Sequence, residues 1–219
     1  MVEFTELLRR SADHVWSAIF EHPFVVELYS GSLPLEKFRY YVAQDYNYLV
    51  TVSKCFSLIA SKAEYAVARR MLELAHLEAT TEMENYEKLL GELGMKLEAV
   101  VKIEPSPTNT AYMNFLLATC ALGSPVEGVT SLLPCFWSYA EIASKHADKL
   151  ANNRNEIYRN WAKIYGEKEY LNLVNELKAL VDEMASEGSY KKLGEIFMTA
   201  SRYEYMFWDA AYKLEKWPL

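Results

Sequence analysis

Apolar side chains recur every three or four residues along almost the whole chain, the spacing that lays a stripe down one face of an α-helix. Between Glu3 and Phe20 the stripe is Phe4, Leu7, Leu8, Ala12, Val15 and Ile19, and His22-Pro23 breaks it. Pro34 opens a second helix running to about Lys62, because a first-turn proline forfeits no helical hydrogen bond. Glu64 to Leu93 predicts a third, ended by Gly94, and residues 94–107 form the longest loop, finishing in Pro105-Ser106-Pro107. Thr108 to Leu122 is a fourth, closed by Gly123. Ser124-Pro125 then pairs an N-cap with a first-turn proline and starts a helix that reaches about Leu150. Asn153 to Tyr165, Glu167 to Ser186 and a last helix from Gly188-Ser189 to about Lys216 complete the series. The reading is all-α. Linkers are short and no repeat or low-complexity stretch occurs, so residues 1–219 are expected to form a single helical domain.

Three chemically able residues sit on these apolar faces. Asp45 shares its stripe with Phe38, Val42, Leu49 and Val52, and Glu204 shares its own with Phe197, Ala200, Phe207, Trp208 and Ala211. Gly128, Leu132, Tyr139 and Ile142 make the corresponding stripe for Cys135. A carboxylate in such a position is buried or lines a cavity, and its burial is costly unless it gains a partner or a proton. Pairing of each acid with a tyrosine or a basic residue in a polar core network would account for the same stripes.

Cys135 follows Pro134 inside a helical run. A mid-helix proline removes an N–H and clashes with the preceding turn, so a kink and an open space are expected beside the thiol. Taken alone, Cys135 reads as a small buried apolar residue. As a nucleophile it needs a base or a stabilising charge. The nearest histidine in sequence, His146, lies roughly 16 Å further along the helix. No spacing brings His14, His22 or His76 closer, so the more apt assistants are Glu204 and the Tyr139 hydroxyl.

Composition narrows the classes. Hydrophobic residues make up 51% of the 219, enough for a large core, and 8 Gly with 7 Pro leave room for long helices. The 16 Tyr suit a pocket or interface whose walls carry hydroxyls. A net charge of −7 without a dense Lys/Arg cluster argues against nucleic acid as a partner. The N-terminus, Met1-Val2-Glu3-Phe4-Thr5-Glu6, starts acidic and lacks the apolar core of a secretory signal. No apolar run is long enough to span a membrane. Three cysteines far apart (Cys55, Cys120, Cys135) fit neither a disulfide framework nor a zinc knuckle, and suit a reducing cytoplasm.

The run Phe38-Arg39-Tyr40-Tyr41-Val42-Ala43-Gln44-Asp45-Tyr46-Asn47-Tyr48-Leu49 resembles the second-helix motif of the thiaminase II (TenA) family. Ser131-Leu132-Leu133-Pro134-Cys135-Phe136-Trp137-Ser138-Tyr139 resembles that family's nucleophile motif. Trp161, Tyr165 and Tyr203-Glu204-Tyr205-Met206-Phe207-Trp208 resemble its later motifs, in the same order, so that the likeness extends from His14 to Trp208. The resemblance implies a haem-oxygenase-like helical fold, a cytoplasmic homotetramer, and hydrolysis of thiamin or of aminomethylpyrimidine to hydroxymethylpyrimidine. It implies Cys135 as the thiol that adds to the pyrimidine ring and Glu204 as the proton shuttle. Asp45 would take the 4-amino edge, Tyr112 and Tyr165 would donate to ring nitrogens or stack, and Tyr48 and Tyr139 would hold the thiol side. No metal and no organic cofactor is implied. A flat amphipathic ring does call for aromatic walls and a few fixed polar groups.

Two other classes compete. A haem or di-iron oxidase on the same fold is suggested by His14 in the first helix and by Glu73-Leu74-Ala75-His76, the Glu-x-x-His spacing of carboxylate-bridged iron. Such bundles need two of these motifs, and the chain has one. Glu73 and His76 lie among Glu78, Glu82, Glu84 and Glu87, which reads as a solvated or salt-bridged face, and His14 reads as a structural histidine. A non-catalytic helical interaction or regulatory protein would explain the tyrosines but leaves Asp45, Cys135 and Glu204 without a purpose.

Overall fold

The structure, a computed structural model, describes residues 3–218; Met1 and Val2, which open the acidic N-terminal segment, and Leu219 lie outside the described residues. The helices are α1 (Phe4–Ser11), α2 (Asp13–Phe20), α3 (Pro23–Ser30), α4 (Leu35–Ala60), α5 (Tyr65–Leu77), α6 (Met83–Glu92) and α7 (Leu97–Val100). They continue as α8 (Pro107–Leu122), α9 (Pro125–Lys145), α10 (Ala147–Ala151), α11 (Glu156–Lys163), α12 (Lys168–Met184) and α13 (Tyr190–Lys213). A π-turn, Glu78–Glu82, joins α5 to α6, and no strand occurs among the described residues.

Several elements differ from expectation, each for a local reason. The single helix expected over Glu3 to Phe20 is α1 and α2, parted at Ala12 (φ −100°, ψ 7°). There the Ser11 hydroxyl bonds the Leu8 carbonyl at 2.6 Å and competes with the helical ladder. His22-Pro23 ends α2 and at once begins α3, because His22 Nδ1 accepts the Phe24 N–H at 3.2 Å and Pro23 takes the first turn. The helix expected over Glu64 to Leu93 is interrupted by the π-turn, and the 94–107 loop contains α7. At His146 the chain turns from α9 into α10, with His146 Nε2 2.8 Å from the Phe20 carbonyl oxygen. α9 itself is helical through Pro134.

The chain forms two compact units, one of Met1–Leu33 with Val129–Asp209 and one of Pro34–Gly128 with Ala210–Leu219. The first is built around Trp16, which has no solvent exposure. Its ring stacks on Phe197 at 5.9 Å and meets Trp137 edge-on at 5.5 Å, and its N–H donates to Ser201 Oγ at 2.9 Å. Arg9 lies 4.0 Å over the same ring and bonds Glu141, so the indole is held on its face, its edge and its nitrogen.

The second unit packs Phe38, Phe56, Ile59, Met71, Tyr86 and Leu116 between α4, α5, α6 and α8. Lys62 Nζ donates to the carbonyls of Cys120, Ala121 and Gly123, covering the negative end of α8. Gly128 is required in the first turns of α9, because a Cβ there would lie 2.6 Å from Ile59 Cγ1. Both contacts fix the ends of helices whose middles carry the site residues.

Candidate active site

Cys135, Tyr139, Tyr165 and Glu204 belong to the first unit. Cys135 stands in the middle of α9 and is partly accessible, whereas Cys55 and Cys120 are fully buried. Pro134 has no N–H to offer the Thr130 carbonyl one turn back, and Thr130 Oγ1 is itself buried without a hydrogen-bond partner. Ser138 Oγ donates to the Cys135 carbonyl at 3.3 Å and Tyr170 Oη to the Phe136 carbonyl at 3.0 Å, two side-chain bonds on that stretch of backbone.

One turn beyond Cys135, Tyr139 enters a continuous aromatic cluster. Its ring lies 4.8 Å from Tyr165, 6.1 Å from Trp161 and 5.1 Å from Trp208. Trp161 meets Tyr165 at 4.9 Å and Tyr170 meets Tyr165 at 5.1 Å, both edge-on, at 67° and 86°. Trp208 is one turn beyond Glu204, whose carboxylate is in the interior with 2% exposure. The Tyr139–Trp208 contact therefore sets α9 beside α13 one turn from both the thiol and the acid. Tilted and edge-on rings of this kind form a stiff apolar wall suited to a flat heterocycle.

Asp45, Tyr48 and Tyr112 belong to the second unit. Asp45 is half-buried. Its position on α4 is fixed by its neighbour Gln44. The Gln44 side chain donates to the Glu104 carbonyl at 3.2 Å and accepts the Ser106 N–H at 2.8 Å. Asn109 Nδ2 donates to the Gln44 carbonyl at 2.8 Å, so α4 is locked to the start of α8 at this point. Tyr48 and Tyr112 are buried with ring centroids 5.3 Å apart and hydroxyls 3.4 Å apart.

The π-turn packs against α4, and sequence reasoning missed what it carries. Glu78 was expected on a solvated face; instead its Oε2 is buried with no hydrogen-bond partner. Burial pushes its pKa up to about 8, helped by the neighbouring charges of Glu82 and Asp45. Tyr86 donates its hydroxyl to the Val42 carbonyl at 2.7 Å; burial, with Asp45 and Tyr46 nearby, raises its pKa. A signal for Glu78 existed. It stands three and four residues beyond Ala75 and Leu74, both buried, the same argument that singled out Asp45.

Glu73 and His76 are exposed, and Glu73 pairs with Arg69 at 3.6 Å and Arg70 at 3.2 Å, as a salt-bridged face requires. His14, read as a structural histidine, is exposed as well. Among the described residues no group of three or more His, Cys, Asp or Glu side chains is placed to hold a metal ion. No helix of the described residues is long and apolar enough to cross a membrane.

Comparison with known proteins places these residues in context. A family model described as the TENA/THI-4/PQQC family matches residues 9–214. The aminopyrimidine aminohydrolase of Halalkalibacterium halodurans is 33% identical over 220 residues, covering 99% of this chain and 98% of that protein. The solved structure of a TenA homologue protein from P. horikoshii OT3 is 52% identical, covers 97% of this chain and 99% of its own, and superposes with a TM-score of 0.95. A domain of unknown function from Shewanella denitrificans OS217, described as having a heme oxygenase-like fold, covers 98% of this chain and 94% of its own with a TM-score of 0.80. At 16% identity that last likeness is one of fold.

Proposed function

This chain belongs to the TENA/THI-4/PQQC family, and we propose that it is an aminopyrimidine hydrolase of thiamin salvage or degradation. Its fold is haem-oxygenase-like. The reaction is replacement by water of the group on the exocyclic methylene of the pyrimidine. Aminomethylpyrimidine gives hydroxymethylpyrimidine and ammonia; thiamin gives hydroxymethylpyrimidine and the thiazole alcohol. The observation that carries this reading is the Tyr139–Trp208 contact at 5.1 Å, which aligns the Cys135 and Glu204 helices under one aromatic wall. The full-length similarity to an aminopyrimidine aminohydrolase supplies the substrate class.

In this reading the Cys135 thiolate adds to the pyrimidine ring, forming an S–C bond while a ring nitrogen takes a proton. The ring's electron pair then expels the leaving group from the methylene carbon, as ammonia with a proton supplied by Glu204, or as the neutral thiazole, which needs none. Water adds at the methylene and returns a proton to Glu204; the S–C bond then breaks with its electron pair on sulfur, and the ring nitrogen releases its proton, so that the aromatic ring and the thiol are both restored. The buried Glu204 carboxyl suits an acid that must carry a proton in one step and release it in the next. Asp45, Tyr48, Tyr112, Tyr139 and Tyr165 are the proposed substrate-binding residues, with Asp45 taking the 4-amino edge. The family match over residues 9–214 supports one functional domain. A homotetramer in the cytoplasm, acting without metal or organic cofactor, is part of the same proposal.

The test is hydrolysis of aminomethylpyrimidine and thiamin, in parallel, by the purified protein and by Cys135→Ala. Pyrimidine alcohol formed by the wild type and lost in the variant is the expected result, and the faster substrate identifies the role. Failure of folded wild-type protein to turn over either compound overturns the assignment.

A further inference from the structure

The segment that follows α13 belongs to the second unit and folds back onto α4 and α8. α13 ends at Lys213, and Leu214 takes a left-handed φ of 55°, a conformation that a side chain with a Cβ adopts only at a cost. The turn lets the Glu215 N–H bond the Ala210 carbonyl at 2.9 Å and delivers the rest of Glu215 to two helices. Its carboxylate accepts the Thr108 N–H and the Thr108 hydroxyl, both at 2.9 Å, in the first turn of α8. Its carbonyl accepts the Tyr40 hydroxyl of α4 at 2.5 Å. Trp217 Nε1 donates to the Pro105 carbonyl at 3.0 Å, just before α8 begins. A strained turn held by this many bonds is a built feature and not a frayed end.

These bonds make the first rung of a ladder between α4 and α8. Tyr40, Gln44 and Tyr48 stand four residues apart on α4 and share a face, as Thr108 and Tyr112 do on α8. Tyr40 and Thr108 meet through Glu215. Gln44 accepts Asn109 Nδ2 at its carbonyl at 2.8 Å, and one turn further on Tyr48 and Tyr112 place their hydroxyls 3.4 Å apart. We propose that Glu215 is a positioning residue for Tyr112: by tying the first turn of α8 to Tyr40 it fixes the register of α8 against α4, and with it the Tyr48–Tyr112 hydroxyl pair that receives the pyrimidine. The proposal rests on the hydrolase reading above, in which both tyrosines bind substrate. The carboxylate suits the task, because it meets the positive end of α8 as well as its unpaired N–H. A helix that slips by one residue moves about 1.5 Å along its axis, and a hydroxyl displaced that far no longer reaches its partner.

The test is steady-state kinetics with aminomethylpyrimidine for wild type, Glu215→Gln, Glu215→Ala, Tyr112→Phe and the double variant Glu215→Ala/Tyr112→Phe. Glu215→Ala is expected to raise KM roughly five- to tenfold and to change kcat by less than about twofold, because the thiol and the acid are untouched. Glutamine keeps one acceptor oxygen, so Glu215→Gln is expected to recover most of that loss, with KM within about threefold of the wild type. In the Tyr112→Phe background the hydroxyl to be positioned is gone, and Glu215→Ala is expected to raise KM by less than about twofold more. Should Glu215→Ala lose its helical circular dichroism, the same cycle is run with Glu215→Gln. An unchanged KM, a loss confined to kcat, or an equal KM penalty with and without the Tyr112 hydroxyl overturns the proposal and leaves Glu215 a structural clamp. Each of these leaves the hydrolase reading standing. No turnover by folded wild type removes that reading and this inference with it.

Discussion

Tyr170 on α12 donates its hydroxyl to the carbonyl of Phe136, the residue after Cys135, at 3.0 Å, and its ring stands edge-on to Tyr165 at 5.1 Å. One side chain thus steadies both the backbone beside the thiol and one wall of the aromatic cluster. Tyr170→Phe keeps the ring and removes the hydroxyl. A hydrogen bond of this type contributes about 1 kcal/mol, which lowers Tm by about 2–4 °C in a chain of this size. Because small misplacements of a reacting group are amplified in rate, kcat/KM for aminomethylpyrimidine is expected to fall by roughly three- to tenfold. Unchanged kinetics with the expected loss of Tm would confine Tyr170 to a structural part.

The cysteines differ in accessibility, and labelling reads that directly. Cys55 and Cys120 have no solvent exposure, and the Cys55 thiol is pushed up by its hydrogen bond with Cys120 and by burial, which keeps it from ionising. Cys135 is partly accessible. The native protein is expected to release one equivalent of thionitrobenzoate quickly from Ellman's reagent and three after denaturation. Cys135→Ala should lose the fast phase alone. Two or three fast thiols in the native protein would contradict the packing of α4 against α8.

Much of the fold was legible because helices announce themselves by periodicity and by Pro and Gly at their ends. Pro34, Gly94, Gly123 and Ser124-Pro125 mark boundaries that the structure keeps to within a residue or two. The breaks at Ala12 and His146 carry no such mark. They depend on a serine hydroxyl bonding its own turn and on a contact with the distant Phe20 carbonyl, neither of which spacing reveals. The aromatic cluster was only partly legible. Stripes identified Tyr139 and Glu204 separately, but the Tyr139–Trp208 contact joins residues nearly seventy positions apart, a distance that no local pattern spans. Glu78 was misread for the opposite reason: a run of glutamates around it suggested solvent, and this outweighed Leu74 and Ala75 on its own face.

Thr130 offers a test of the cost of the proline. Its Oγ1 is buried without a hydrogen-bond partner, four residues before Pro134. An unsatisfied buried hydroxyl costs about 1–3 kcal/mol, whereas valine fills nearly the same volume without a polar atom. Thr130→Val is therefore expected to stabilise the protein by about 1 kcal/mol, seen as a higher midpoint in urea unfolding with the same slope. A lower midpoint would mean that the hydroxyl serves the helix beside Cys135, and the variant's hydrolase activity would then fall as well.

The raised pKa of Glu78 also makes stability depend on pH, in a direction opposite to that of a salt-bridged acid. In the unfolded chain the group titrates near 4.5, and in the fold near 8. Below the lower value both states hold the proton and Glu78 contributes no pH dependence. Between the two, the unfolded state releases a proton that the folded state retains, so stability falls steadily as pH rises. Above about pH 8 both states are ionised and the penalty is complete, because a charge is then buried beside Glu82 and Asp45. Glu78→Gln carries no such charge. Its Tm is expected to match that of the wild type near pH 4.5 and to exceed it by several degrees at pH 8.5, in scans at constant ionic strength. Equal Tm values at both pH values would show that Glu78 ionises like a solvated carboxylate.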